Sequence, residues 1–168
     1  MSLFQNLGDE ARSTRTKNRE LIEAANIAYH EAEAELYNSS HPEIFWCERS
    51  KLHAFCECYL RERTVPVTVV DIGAGTGFVA SVLEEFLKEN DSYIATDISP
   101  EMLEKFHARF HRASFSIKTI VAKADNIPLD NASCDMVIIS SALHHFPDVD
   151  KSLHEVSRLL RPGGIFCL

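Results

Sequence analysis

The sequence lacks the features that would direct it to a membrane or to a nucleic acid. No apolar run approaches the roughly 18 residues that span a bilayer. The segment Met1–Lys17 carries Asp9 and Glu10 where a secretory signal would have an apolar core. Basic charge is scarce and scattered: 17 Lys and Arg stand against 25 Asp and Glu, a formal net charge of −8. Electrostatic capture by nucleic acid or an anionic membrane surface is therefore not expected, which leaves small molecules and other proteins as partners. The five cysteines (Cys47, Cys56, Cys58, Cys134, Cys167) are odd in number, irregularly spaced and include no C-x-x-C pair. That pattern fits reduced thiols in a cytoplasmic protein better than a disulfide framework. Cys47, His53, Cys56 and Cys58 scatter around a helix axis at about 100° per residue, so a tetrahedral site is not expected and no metal is assigned.

Internal repeats, low-complexity stretches and Gly- or Ser-rich linkers are also missing. What is there is an ordinary globular composition of 168 residues, 45% apolar and 25% charged. A chain of that length can bury roughly two thirds of its unfolded surface as one domain. From Asn18 to Leu36, apolar or small residues recur at helical spacing, opposite Glu31, Glu33 and Glu35. Ser40 and Glu43 have the spacing of a capping box for a second helix, striped by Phe45, Leu52, Phe55, Cys56, Tyr59 and Leu60. Residues 1–64 are thus expected to form a helical pair packed on a core at 65–168. In that core, strands at Val67–Ile72, Tyr93–Thr96, Phe115–Val121, Met136–Ser140 and from Ile165 alternate with helices at Phe78–Glu89, Ser99–Arg112 and Asp148–Leu160. Such alternation implies an α/β fold with a parallel sheet and right-handed crossovers.

The stretch that organises the core is Val69-Val70-Asp71-Ile72-Gly73-Ala74-Gly75-Thr76-Gly77-Phe78. A buried strand runs into a glycine turn and then a helix, the arrangement by which α/β proteins bring backbone amides close to a nucleotide-like ligand. Spacing alone leaves the ligand open. Counted from Gly73, the last place of G-x-G-x-x-G falls on Phe78; counted from Gly75 it falls on Ala80, which satisfies the looser dinucleotide form. Asp71 shifts the balance away from a nicotinamide dinucleotide, because a carboxylate there opposes a pyrophosphate and favours a ligand carrying an ammonium and a sulfonium.

Asp71 to Gly77 resembles the D/E-x-G-x-G-x-G motif of class I S-adenosylmethionine-dependent methyltransferases. Three further stretches agree in order: Ala95-Thr96-Asp97-Ile98-Ser99 with the acid ending the second strand, Lys123 to Leu129 with the A-D-x-x-x-L-P loop, and Cys134 to Phe146. In the second of these, the proline precedes the leucine. Together with Glu155, Arg158, Leu160 and Arg161-Pro162-Gly163-Gly164, the last stretch is similar to the small-molecule, quinone-biosynthesis-like branch. The resemblance implies a Rossmann-like doubly wound parallel sheet of about five strands in the order 3-2-1-4-5, with helices on both faces.

It also implies roles. Gly73, Gly75 and Gly77 let the methionine part of S-adenosyl-L-methionine pass over the turn, while Asp71 orders the loop and meets the cofactor's amino group. Asp97 accepts both ribose hydroxyls, and its alternative role is to cap the helix near Ser99. Ile98 covers the adenine, and Asp125 accepts the adenine amine beside the Asn126 and Ile127 backbone; its alternative is a turn residue before Pro128. Ser140 and Ser141 stand at the switch point between the first and fourth strands, and Tyr37 folds over the cofactor or is a plain core or surface tyrosine. His144 and His145 either remove a substrate proton and line the acceptor pocket or merely form the turn after the fourth strand.

The expected function is methyl transfer from S-adenosyl-L-methionine to a small-molecule acceptor, leaving S-adenosyl-L-homocysteine. The alternatives are a non-catalytic cofactor-binding or interaction module and a nicotinamide-dinucleotide-binding protein. Related enzymes continue past the fifth strand with a helix and an antiparallel hairpin. The sequence is accordingly expected to be shortened or a fragment, or to have that edge covered by a partner or a second copy in a homo-oligomer.

Overall fold

A strand rich in β-branched residues is most stable where both of its faces are covered, and Thr68–Ile72, β-branched everywhere but at Asp71, sits at the centre of a sheet. The computed structural model describes residues 16–29 and 42–168. Tyr37, Ser40 and most of the first expected helix beyond position 29 lie outside the described residues. The elements are α1 (16–29), α2 (Pro42–Leu60), β1 (Thr68–Ile72), α3 (Phe78–Leu83), β2 (Ser92–Asp97) and α4 (Pro100–Phe110), followed by β3 (Ser116–Val121), β4 (Cys134–Ile138), a 3-10 turn (Leu143–His145), α5 (Val149–Leu159) and β5 (Leu160–Cys167). All strand pairs are parallel, and the sheet order is β3-β2-β1-β4-β5.

Alternation along β1 divides the core in two. Val69 faces a cluster that includes Leu52, Cys56 and Leu60 of α2, Val79 and Leu83 of α3, Tyr93 of β2, and Leu103 and Phe106 of α4. Val70 and Ile72 face the opposite layer, with Ile127, Val137, Ile139, and Val156 and Leu159 of α5. Helices therefore cover both faces, and the crevice between β1 and β4 opens at the strands' carboxyl ends, where ligands of open α/β sheets bind.

Two elements differ from the sequence expectation. The helix expected to run to Glu89 ends at Leu83, because the Phe86 N–H bonds back to the Leu83 carbonyl at 2.8 Å and tightens the turn. The Phe86 carbonyl is then taken by Arg63 Nη1 at 3.0 Å and the Lys88 N–H by Asp91 Oδ2 at 2.5 Å. Arg63 and Asp91 are themselves a buried ion pair tying the end of α2 to this loop. The fifth strand begins at Leu160, not after the glycines. Leu160 pairs with Cys134 and Ile165 with Met136, so Arg161-Pro162-Gly163-Gly164 bulges out within the strand. Gly163 has φ +82°, and Arg161 Nη1 holds the bulge to Asp135 Oδ1 at 2.7 Å.

Candidate functional site

The chain leaves β1 at Ile72 and turns sharply. The Gly73 and Ala74 N–H groups both donate to the Thr96 carbonyl at the end of β2, at 2.8 and 2.9 Å. This brings the β1 turn and Asp97 together: Asp97 Oδ2 accepts from the Gly75 N–H at 2.8 Å, and Oδ1 from the Ser99 N–H at 2.9 Å. The N-cap of α4 is Ser99, whose hydroxyl accepts from the Met102 N–H at 3.3 Å. The Asp97 carboxylate is thus oriented by backbone donors on the wall of a cavity of about 110 Å³, lined also by Gly73, Gly75, Ile98, Asp125, Ser140 and His145.

Gly75 (φ +52°) contributes no side chain to that wall, and a Cβ built there would meet nothing within 4 Å. Gly77 serves packing instead: its missing Cβ leaves room for Phe106 and Phe110, which a methyl would approach at 2.9 and 2.4 Å. The turn is thus open to the cavity at Gly75, with the Asp97 carboxylate beside it, an arrangement that allows a ligand close to the backbone and offers acceptors to its hydroxyl groups.

The structure brings together Gly73, Gly75, Asp97, Ile98, Asp125, Ser140 and His145 on one cavity. It does not bring Asp71, Gly77, Asn126 or Ile127 to its lining. Asp71 lies wholly buried beneath the turn, where the Tyr93 hydroxyl donates to its Oδ2 at 2.6 Å and its Oδ1 has no partner among the described residues. Burial raises its pKa to about 7, opposed by the Tyr93 hydrogen bond and assisted by the charge of Asp97. Ile127 is buried in the core, and its N–H donates to Glu155 Oε1 at 2.6 Å. Arg158 pairs with Glu155 and donates to the Ile127 and Leu129 carbonyls at 2.9 and 2.7 Å. These two side chains of α5, named in the sequence only as part of a motif, hold the loop that carries Asp125.

Helix α1 lies over the cavity. Glu23 and Asn26 line it, Asn26 Nδ2 donates to the His145 carbonyl at 2.7 Å, and Glu23 Oε2 meets Lys123 Nζ at 2.5 Å. Arg19 forms ion pairs with Asp125 and, at 3.5 Å, with Asp148. Sequence reasoning missed these contacts, since spacing within a helix carries no information about partners about a hundred residues away.

A second cavity of about 600 Å³ adjoins the first, the two sharing Ser140, Ser141 and Ala142. His144 lines the second and His145 the first, with their rings 4.0 Å apart. Ser141 adopts a left-handed φ of +52°, uncommon for a residue with a side chain and frequent where a site dictates the backbone.

The methyltransferase domain family matches residues 70–168. The chain belongs to this family. The chain is 34% identical over 106 residues to the ubiquinone/menaquinone biosynthesis C-methyltransferase UbiE of Rickettsia prowazekii, covering 60% of this chain and 43% of that protein. It is 31% identical over 100 residues to the chloroplastic 2-methyl-6-phytyl-1,4-hydroquinone methyltransferase 1 of Oryza sativa subsp. japonica, covering 60% of this chain and 29% of that protein. The crystal structure of CrArsM, an arsenic(III) S-adenosylmethionine methyltransferase of Chlamydomonas reinhardtii, superposes with a TM-score of 0.54 at 26% identity, covering 60% of this chain and 37% of that one. The chain thus spans less than half the length of each. The family match and these similarities point to S-adenosyl-L-methionine as the cofactor. Among the described residues no helix is long and apolar enough to cross a membrane.

Proposed function

We propose that this chain binds S-adenosyl-L-methionine in the cavity above the Gly73–Gly77 turn and catalyses methyl transfer to a small-molecule acceptor in the cytoplasm. The observation that carries this reading is the Asp97 carboxylate, oriented by the Gly75 and Ser99 N–H groups on the cavity wall, beside the open space above Gly75. A carboxylate offers about four acceptor sites, so backbone anchoring is compatible with receiving a pair of ribose hydroxyls. The same charge disfavours a 2′-phosphate. Ile98 would cover the adenine, Asp125 would receive its amine, and Asn126 and Ile127 would act through the loop backbone. Ser140 would border the methionine end, with Gly73 and Gly75 beneath it.

When bound, the cofactor supplies a methyl group already activated on a sulfonium sulfur. The chain's remaining tasks are to align the acceptor, exclude water and take up a proton where the acceptor carries one. Helix α1 suits the second task, because Glu23 and Asn26 stand over the cavity. His144 and His145 suit the third, lying on either side of the segment common to both cavities. Asp71 acts indirectly in this reading, through the turn above it.

Titration calorimetry with S-adenosyl-L-homocysteine, followed by a mass-spectrometric screen of metabolite extracts with methyl-labelled cofactor, tests the proposal. Saturable binding and a labelled small molecule are expected. Binding without any labelled product would leave a cofactor-binding module, and stabilisation by NAD in place of S-adenosyl-L-homocysteine would remove the cofactor assignment altogether.

A further inference from the structure

The proton-accepting task offered above to His144 and His145 has a second candidate on the second cavity, an acid that nothing above assigns. On α2, Glu48 projects toward the end of β4, and its Oε2 accepts hydrogen bonds from the hydroxyls of both Ser140 (3.1 Å) and Ser141 (2.8 Å). Those two serines form the wall shared by both cavities, so the carboxylate lies on the second cavity at its boundary with the first. The rest of that cavity is largely apolar, lined by Leu52, Ile138, Val149 and Leu168, and among the described residues its other polar side chains are Lys51, His144 and the Cys167 thiol.

Resting on the methyltransferase reading, we propose that this cavity is the acceptor site for a largely apolar, uncharged molecule that presents one hydroxyl to Glu48, and that Glu48, in place of His144 or His145, takes the hydroxyl proton as the oxygen is methylated. Three features carry the inference. Glu48 already binds two O–H donors, so its geometry suits a third donor of the same kind. Lys51 on the same cavity opposes a cationic acceptor, while Glu48 itself opposes an anionic one. The apolar lining rewards a hydrocarbon body in the acceptor. In the step, a bond forms between the acceptor oxygen and the methyl carbon as the carbon–sulfur bond breaks. Its electron pair goes to sulfur, giving a neutral thioether, and the hydroxyl proton passes to Glu48. Charge and atoms balance without a metal or a redox partner.

The test begins with S-adenosyl-L-homocysteine binding, which separates failure of the cofactor assignment from failure of this one. Protein saturated with that ligand is then titrated with naphthalene, 1-naphthol and the cationic 1-naphthylmethylamine. The naphthol is expected to bind about tenfold or more tightly than either of the others, as a charge-assisted hydrogen bond implies. In Glu48→Gln, with fold checked by thermal melting and by S-adenosyl-L-homocysteine binding, this preference is expected to disappear. The wild-type comparison holds even should the variant not fold. With methyl-labelled cofactor, 1-naphthol is expected to give labelled 1-methoxynaphthalene, about a hundredfold more slowly in Glu48→Gln. Equal affinity for the three probes, preference for the amine, an unaltered preference in Glu48→Gln, or no labelled ether would each overturn the proposal.

Discussion

At the scale of single residues, two aspartates divide the tasks that the glycine turn requires. Asp97 stands on the cavity and is held by N–H donors, so its removal should act on binding. Asp97→Ala is expected to weaken S-adenosyl-L-homocysteine by about 1–3 kcal/mol, read by calorimetry; unchanged affinity would refute its role. Asp71 is sealed beneath the turn against Tyr93, and its effect should appear as a pH dependence of stability. Because burial raises its folded-state pKa to about 7, the folded protein retains a proton that the unfolded chain releases near pH ~4. The stability linked to that proton is complete at low pH and is lost as pH rises through about 7. Asp71→Asn stays neutral throughout, so its melting temperature relative to wild type should climb between about pH 4 and about pH 7 and level off above that. A difference that stays flat over that window would show that Asp71 is ionised in the fold.

At the scale of elements, the site depends on how α5 grips the loop after β3. Glu155 holds the Ile127 N–H, and Arg158 spans the Ile127 and Leu129 carbonyls and Asn131 Oδ1. The Arg158 hydrogen bond lowers the Glu155 pKa, so this contribution is present near neutral pH and lost as acid titrates the carboxylate. Glu155→Ala leaves a buried N–H without its acceptor and a guanidinium without its partner. With Arg158 about a third exposed, a cost of about 1–3 kcal/mol is expected in urea denaturation. Because the loop carries Asp125, S-adenosyl-L-homocysteine affinity should fall with it; full affinity in a destabilised variant would separate the clamp from the site. The strand–helix alternation and the strand cores were legible in the sequence, since both follow from periodicity. The early end of α3 and the bulge in β5 were not. One depends on Arg63 and Asp91 meeting across the fold, and the other on the register that β4 imposes.

At the scale of the whole molecule, a segment distant in sequence completes the lining of the cavity. Helix α1 contributes Glu23 and Asn26 to the lining and pairs Arg19 with Asp125. Ligand bound there should stabilise the folded protein as a unit: at a concentration of about 100 Kd, the gain is about 2.7 kcal/mol. S-adenosyl-L-homocysteine is therefore expected to raise the melting temperature by several degrees and to slow amide hydrogen exchange in residues 16–29, whereas NAD should do neither. Exchange in that helix unaffected by saturating S-adenosyl-L-homocysteine would detach α1 from the site.

The sequence alone determined the sheet's strands and the glycine turn with its strand-end acids, because strand periodicity and glycine spacing act over a few residues. Only the tertiary structure decided which of those residues reach the cavity. It turned Asp71 and Gly77 inward to Tyr93 and the α4 phenylalanines, and it set Glu48 against Ser140 and Ser141. Which way a side chain faces, and what it meets there, depends on packing between elements far apart in the chain, and local pattern carries no record of that.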